Sequence, residues 1–124
     1  MGKDLKEKAI DFKGKLYVQV ADRVKYFNDT YKSGSITTKI IHNDEKSIII
    51  KATVSPTDGV FFTGIAEEIR GEGYINKTSA VENCETSAVG RALAFMGIGV
   101  IDSIASKDEI TIAQNKEKYQ EDFI

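Results

Sequence analysis

The chain has 124 residues, 17 Lys and Arg against 19 Asp and Glu, and one each of proline, cysteine and histidine. This length suits one domain with one core. The net charge of −2 excludes a global field that would pull polyanions from all sides. The lone cysteine excludes an internal disulfide and, with the lone histidine, any Cys/His zinc cluster. No run approaches the roughly 18 apolar residues of a membrane span, and the start, Met1 to Lys8, lacks the apolar core of a secretory signal. The chain therefore reads as a soluble, cytoplasmic protein.

In chain order, residues 1–15 carry five lysines against three acids and read as a basic arm, a short helix or a mobile segment. Leu16 to Val20 alternates like a strand. From Val20 the period lengthens: Val20, Val24, Phe27 and Tyr31 share one helical stripe, which predicts a helix over 20–31 with Arg23, Lys25 and Asn28 outside the stripe. Lys32-Ser33-Gly34-Ser35 ends it.

Three strand-like runs follow, Ile36 to His42, Ser47 to Val54 and Val60 to Ile69. Asn43 to Lys46 is a polar loop of hairpin length, and Ser55-Pro56-Thr57-Asp58-Gly59 is a turn in which Pro presets φ and Gly accepts positive φ. Connections this short predict an antiparallel meander, because parallel neighbours need a longer crossover. Alternation assigns two faces. Ile40, Ile50, Ala52, Val54, Val60, Phe62 and Ala66 form an apolar one that needs a cover. The other holds Thr37, Lys39, Ile41, Ile49, Lys51, Thr53, Phe61, Thr63 and Ile65. Lysines for phosphates and a flat aromatic for bases are what a sheet uses to hold a single strand. The same mixture also suits a subunit interface with snorkelling lysines.

Gly71-Glu72-Gly73 closes the third strand, and Tyr74 and Lys77 beside it either close over a ligand or form an ordinary connection. A helix over 79–96 is expected from the capping box Ser79 to Glu82 and from Gly97 at its end. Its sheet-facing side is small in the middle, at Cys84, Ala88 and Ala92, with Val81, Phe95 and Met96 filling volume at the ends. It is either a scaffold helix or a ligand contact through Thr86, Ser87 or Arg91. Gly99 to Asp102 suggests a short strand, and a second capping box, Ser106 to Glu109, opens a last helix. Residues 107–124, with three lysines against five acids, make an acidic tail.

Chemistry for catalysis is missing from this inventory. There is no G-x-x-x-x-G-K-[ST] loop, the glycine pairs lack the rest of a dinucleotide fingerprint, and Glu67 and Glu68 point to opposite faces of a strand. The sequence suggests a protein that binds rather than reacts, with no metal and no cofactor.

The run from Asn76 through Thr78-Ser-Ala-Val-Glu-Asn-Cys-Glu-Thr-Ser-Ala-Val-Gly-Arg-Ala-Leu-Ala-Phe-Met-Gly-Ile-Gly99, with Ile104 to Glu109, resembles small single-stranded DNA-binding proteins of tailed phages, of the lactococcal-phage type. Val20 to Phe27 and Ile36 to Ile40 extend the similarity over residues 16–110. The resemblance implies an α+β domain over 1–124: an antiparallel sheet curled into a modified oligonucleotide-binding (OB-like) barrel, with the central helix packed on it. It also implies a sequence-tolerant single-stranded DNA binder in phage DNA replication or recombination, acting in the infected host's cytoplasm as a homodimer or larger homo-oligomer. The end, Glu121-Asp-Phe-Ile124, is similar to the tip by which bacterial single-strand binders dock partner proteins. The meander followed by a helix carrying Gly90-Arg-Ala-Leu93 also resembles Rad52-type annealing proteins, which share the ligand but bring strands together. A non-enzymatic oligomeric interaction module is the third reading. Under the DNA-binding readings, Lys39, Lys51, Arg23, Lys25, Lys77 and Arg91 are the expected phosphate contacts, and Phe61, Tyr74 and Tyr26 the expected stacking groups.

Overall fold

Period-two alternation between residues 35 and 69 resolves into three antiparallel strands in the order β3-β4-β5: β3 (Ser35–Asn43), β4 (Ser47–Ser55) and β5 (Phe62–Ile69). The computed structural model describes residues 3–12, 14–71 and 73–100. Ahead of the meander come α1 (Lys3–Glu7), a hairpin of β1 (Ile10–Phe12) and β2 (Lys15–Tyr17), and α2 (Val20–Thr30). Behind it lies α3 (Gly73–Phe95). The chain is thus an α+β fold with antiparallel sheets. The meander, the helix from Val20 and the long helix after it are as expected from the sequence.

The expected barrel is not formed among the described residues. β1 and β2 pair only with each other, as a separate two-stranded sheet turning at Gly14 (φ 80°), whose N–H donates to the Asp11 carboxylate. A closed barrel needs every strand in one ladder, and these two sheets share none among the described residues. The basic arm is not a loose tail, since Leu5 of α1 is buried in the main core. Gly99 and Val100 are not in a strand. The rest of the expected 99–102 strand, the last helix and the acidic tail lie outside the described residues.

One face of the main sheet is sealed by α3. Ile48, Ile50, Ala52 and Val54 of β4 alternate onto that face and are fully buried, each large side chain contributing about 1.5–3 kcal/mol. The helix can lie this close because its sheet-facing residues are small. Cys84, Ala88 and Ala92 have no exposed surface, and a Cβ on Gly64 of β5 would collide with the Ala88 carbonyl and the Ala92 nitrogen. Cys84 Sγ donates to the carbonyls of Ile48 (3.5 Å) and Ala66 (3.3 Å), and burial pushes its thiol pKa up. It is therefore packing and not a reactive group.

Both helix ends follow the sequence signals. Ser79 leaves helical geometry (φ −142°, ψ 38°) and divides α3 where the capping box was expected. At the other end Ile98 N–H bonds the Leu93 carbonyl and Gly97 N–H that of Ala94, both at 2.9 Å, with Gly97 at φ 94°. This is a Schellman stop, completed by the buried Leu93 and Ile98 side chains.

Four apolar assignments change. Val81 and Phe95 are exposed, and Ala80, Val89 and Leu93 take the volume expected of them. Ile40 is 51% exposed although it alternates onto the covered side. The reason is that α3 lies over β4 and β5 and leaves β3 at the rim. Val60 precedes β5 and is also exposed.

Candidate nucleic-acid interface

The opposite face of the sheet carries no covering element among the described residues. Strand register fixes its rows: Ser35 beside Ser55, then Thr37-Thr53-Thr63, then Lys39-Lys51-Ile65. A bulge between Ile40 and His42 shifts the next row to His42-Ile49-Glu67. The threonine row is a ladder of three hydroxyls across three strands. Phe61, 64% exposed, sits one residue ahead of β5, and its alternation with Thr63 and Ile65 carries it onto the same side.

Lys39 and Lys51 are direct cross-strand partners, both exposed. Cα atoms so paired are about 4.5–5.5 Å apart, and like charges directly opposite one another destabilise a sheet. No ion pair relieves either lysine among the described residues; the acid on this face, Glu67, belongs to the row beyond, opposite Ile49. Two ammonium groups, three hydroxyls and a projecting ring therefore share one open surface. From the strand and pleat spacings, Phe61 and Lys51 are roughly 14 Å apart, a separation that spans more than one nucleotide.

The remaining expected contacts are elsewhere. Arg23 is buried between α2 and α3: its Nη1 donates to the Gly90 carbonyl at 3.0 Å, and its guanidinium lies 5.6 Å from the centre of the Tyr17 ring. Its Nε is buried without a hydrogen-bond partner. Burial lowers its pKa, and Tyr17 partly offsets that. Two glycines make its berth, since a Cβ on Gly99 would strike the Arg23 side chain and one on Gly90 would sit 2.8 Å from Val20 and 3.2 Å from Arg23. Arg23 is thus a packing residue and cannot meet a phosphate without unpacking the two helices.

Lys25 projects from α2 and pairs with Asp29 one turn on at 2.7 Å, which raises the lysine pKa and lowers that of the aspartate. Tyr26 is half-buried against the core. Arg91 is half-buried on α3, its Cβ close to Gly64 on the covered side of the sheet. Tyr74 and Lys77 fall in the first turns of α3, with side chains outside the described residues. Of nine expected contacts, the open face unites Lys39, Lys51 and Phe61. It adds the Thr37-Thr53-Thr63 ladder, which alternation places on this face but which is not among the expected contacts. Hydroxyls two residues from each lysine were the available signal.

The end of the sheet is held by a separate polar cluster. Asp44 accepts the N–H groups of Lys46 and Ser47, each at 2.8 Å, and pairs with His42 at 2.8 Å. Those two N–H groups, then His42, hold its carboxyl below the usual range. Arg70 at the end of β5 reaches back to Asn43 and to the Asp44 carbonyl. Among the described residues no group of acids, histidine and cysteine could hold a metal ion, and no helix is long and apolar enough to cross a membrane.

The helix, three-stranded meander and helix coincide with a family model: residues 24–96 match the Slr1353 N-terminal dsRNA-binding domain-like family. The chain belongs to this family. The match runs from within α2 to just beyond α3, so the whole sheet, with its open face, is part of the Slr1353-type domain, whereas the β1–β2 hairpin precedes it. It also overturns the resemblance to phage single-stranded DNA-binding proteins and the weaker one to Rad52-type proteins. The segment that carried both is the helix whose small residues, glycines and stop are accounted for by packing on Gly64 and around Arg23. No curated protein matches the chain.

Proposed function

We propose that this domain binds a nucleic-acid strand, without sequence preference and without catalysis, across the open face of β3, β4 and β5. The observation that carries the reading is the unrelieved cross-strand pair Lys39 and Lys51. A backbone phosphate beside both ammonium groups turns a mutual repulsion into two attractions. The hydroxyls of Thr37, Thr53 and Thr63 offer donors along the strand's path, and the Phe61 ring offers a base a stacking surface. The exposed Ile65 side chain suits splayed bases better than the charged exterior of a duplex.

Family membership favours a second reading. Its description as dsRNA-binding domain-like suggests duplex RNA, which proteins recognise through phosphates, 2′-hydroxyls and groove shape more than through bases. Titrating labelled oligo-dT, oligo-U, a DNA duplex and an RNA duplex with the protein at two salt concentrations separates the readings. Preferential binding of oligo-dT and oligo-U is expected. Preference for the RNA duplex would transfer the proposal to the second reading, and no binding of any of the four at low salt would end both.

A further inference from the structure

The rim strand β3 has an unused side. Along its nine residues it pairs only with β4 among the described residues, and all but one of its side chains are exposed. An edge of this length presents a row of unpaired N–H and C=O groups, a template for another strand. α3 also leaves Ile36 partly exposed and Ile40 half-exposed on the helix side, just where an added strand would carry the covered face onward.

We infer that this edge pairs antiparallel with β3 of a second copy, about a two-fold axis between the two copies of Thr38, to make one continuous six-stranded sheet. The register follows from symmetry and chemistry. Antiparallel partners share a face, so a two-fold axis perpendicular to the sheet must run between the two copies of one residue, which face each other directly. Centred on Thr38, the sequence Ile36-Thr37-Thr38-Lys39-Ile40 is self-complementary: Ile36 meets the other copy's Ile40, and Lys39 meets its Thr37. Moved one residue forward, the axis sets Lys39 against Lys39, a like-charge pair. Moved one residue back, it sets Ile40 against Gly34 and Ile36 against Thr38, and the apolar match is lost. The bulge between Ile40 and His42 ends the pairing region on that side. Near the axis the Thr38 hydroxyl donates to Glu85 at 2.7 Å, so each copy brings a carboxylate there, which makes the association reversible rather than obligate.

The inference stands apart from the nucleic-acid reading and is tested without nucleic acid. In the full chain, Thr38→Cys under mild oxidation is expected to give a covalent dimer, because directly opposed Cα atoms about 4.5–5.5 Å apart fall within disulfide reach. The native Cys84 is buried and does not compete. Lys39→Cys is expected to stay uncrosslinked, its nearest copy lying two residues off register, roughly 8 Å away. Sedimentation equilibrium of the unmodified protein should reach twice the 13.7 kDa chain mass as concentration rises. Ile40→Lys, at a half-exposed position, should return it to one chain mass with an unchanged circular dichroism spectrum. A single chain mass at every concentration overturns the inference, as does equal cross-linking of the two cysteine variants or faster cross-linking at position 39.

Discussion

The two faces of the β3-β4-β5 sheet are written in the same alternating code, yet only one is a core. On the covered face β4 contributes Ile48, Ile50, Ala52 and Val54, and β5 contributes Gly64 and Ala66, so the cross-strand pair Ala52 and Gly64 leaves a trough that α3 fills. On the open face the corresponding row is Lys39, Lys51 and Ile65, flanked by three threonines. Charged side chains are almost never fully buried without partners, and no described element seals this face as α3 seals the other. What decides the role of each face is the size of the residues at the centre of its rows: near nothing on one, two long cations on the other.

Substitutions that exchange these characters should have unequal consequences. The largest is expected at Gly64. Gly64→Val forces a side chain into the backbone of α3 at Ala88 and Ala92 and should destabilise the fold by about 3 kcal/mol, read as a lower urea midpoint. A midpoint unchanged from the native protein would mean that α3 does not approach β5 as described.

Arg23 comes next, because it was expected on the ligand side and belongs to the packed side. Arg23→Ala should cost about 2–4 kcal/mol through the cavity it leaves, whereas Arg23→Met, which fills the berth without a buried charge, should cost less than about 1.5 kcal/mol. Oligo-dT affinity of the Met variant should equal that of the native protein. A weaker affinity with a smaller salt dependence would return Arg23 to the interface.

On the open face, Phe61→Ala should weaken oligo-dT binding by about 1–3 kcal/mol, with the salt slope preserved. Titration at several salt concentrations checks both parts. The smallest effect is expected at Asp44, which anchors the turn at the end of both faces. Its folded pKa lies below its unfolded value. Its contribution is therefore present above the unfolded pKa, near 4, and lost as pH falls through the lower folded value. Thermal unfolding of Asp44→Ala should match that of the native protein at low pH and fall slightly below it at neutral pH. A gap that widens with acid would contradict this.

Much of the covered side was legible in the sequence. Alternation gave the meander, the spacing of Val20, Val24 and Phe27 gave α2, and Cys84, Ala88, Ala92 and Gly97 gave the close-packed, Schellman-stopped helix. Less could be read wherever the outcome depended on distant partners. Arg23 lies outside its own helical stripe and so reads as exposed; its burial depends on Gly90 and Gly99, more than sixty residues away. Ile40 reads as core, and its exposure depends on where α3 stops across the sheet. From sequence the β1–β2 hairpin reads as half arm and half barrel strand, because three-residue strands carry too little alternation to register. For the site, the two lysines and Phe61 were visible as one face by parity alone. That Lys39 lies directly against Lys51 needed the register, which a four-residue loop and a bulge leave open.

In the proposed function the open face, with the lysine pair at its middle, holds a nucleic-acid strand. The most direct measurement is oligo-dT affinity of the double variant Lys39→Glu, Lys51→Glu, with urea unfolding in parallel. Both positions are exposed, so the unfolding free energy should stay within about 0.5 kcal/mol of that of the native protein. Binding at low salt should be lost. Retained affinity with an unchanged salt slope would contradict the assignment of the site to this face.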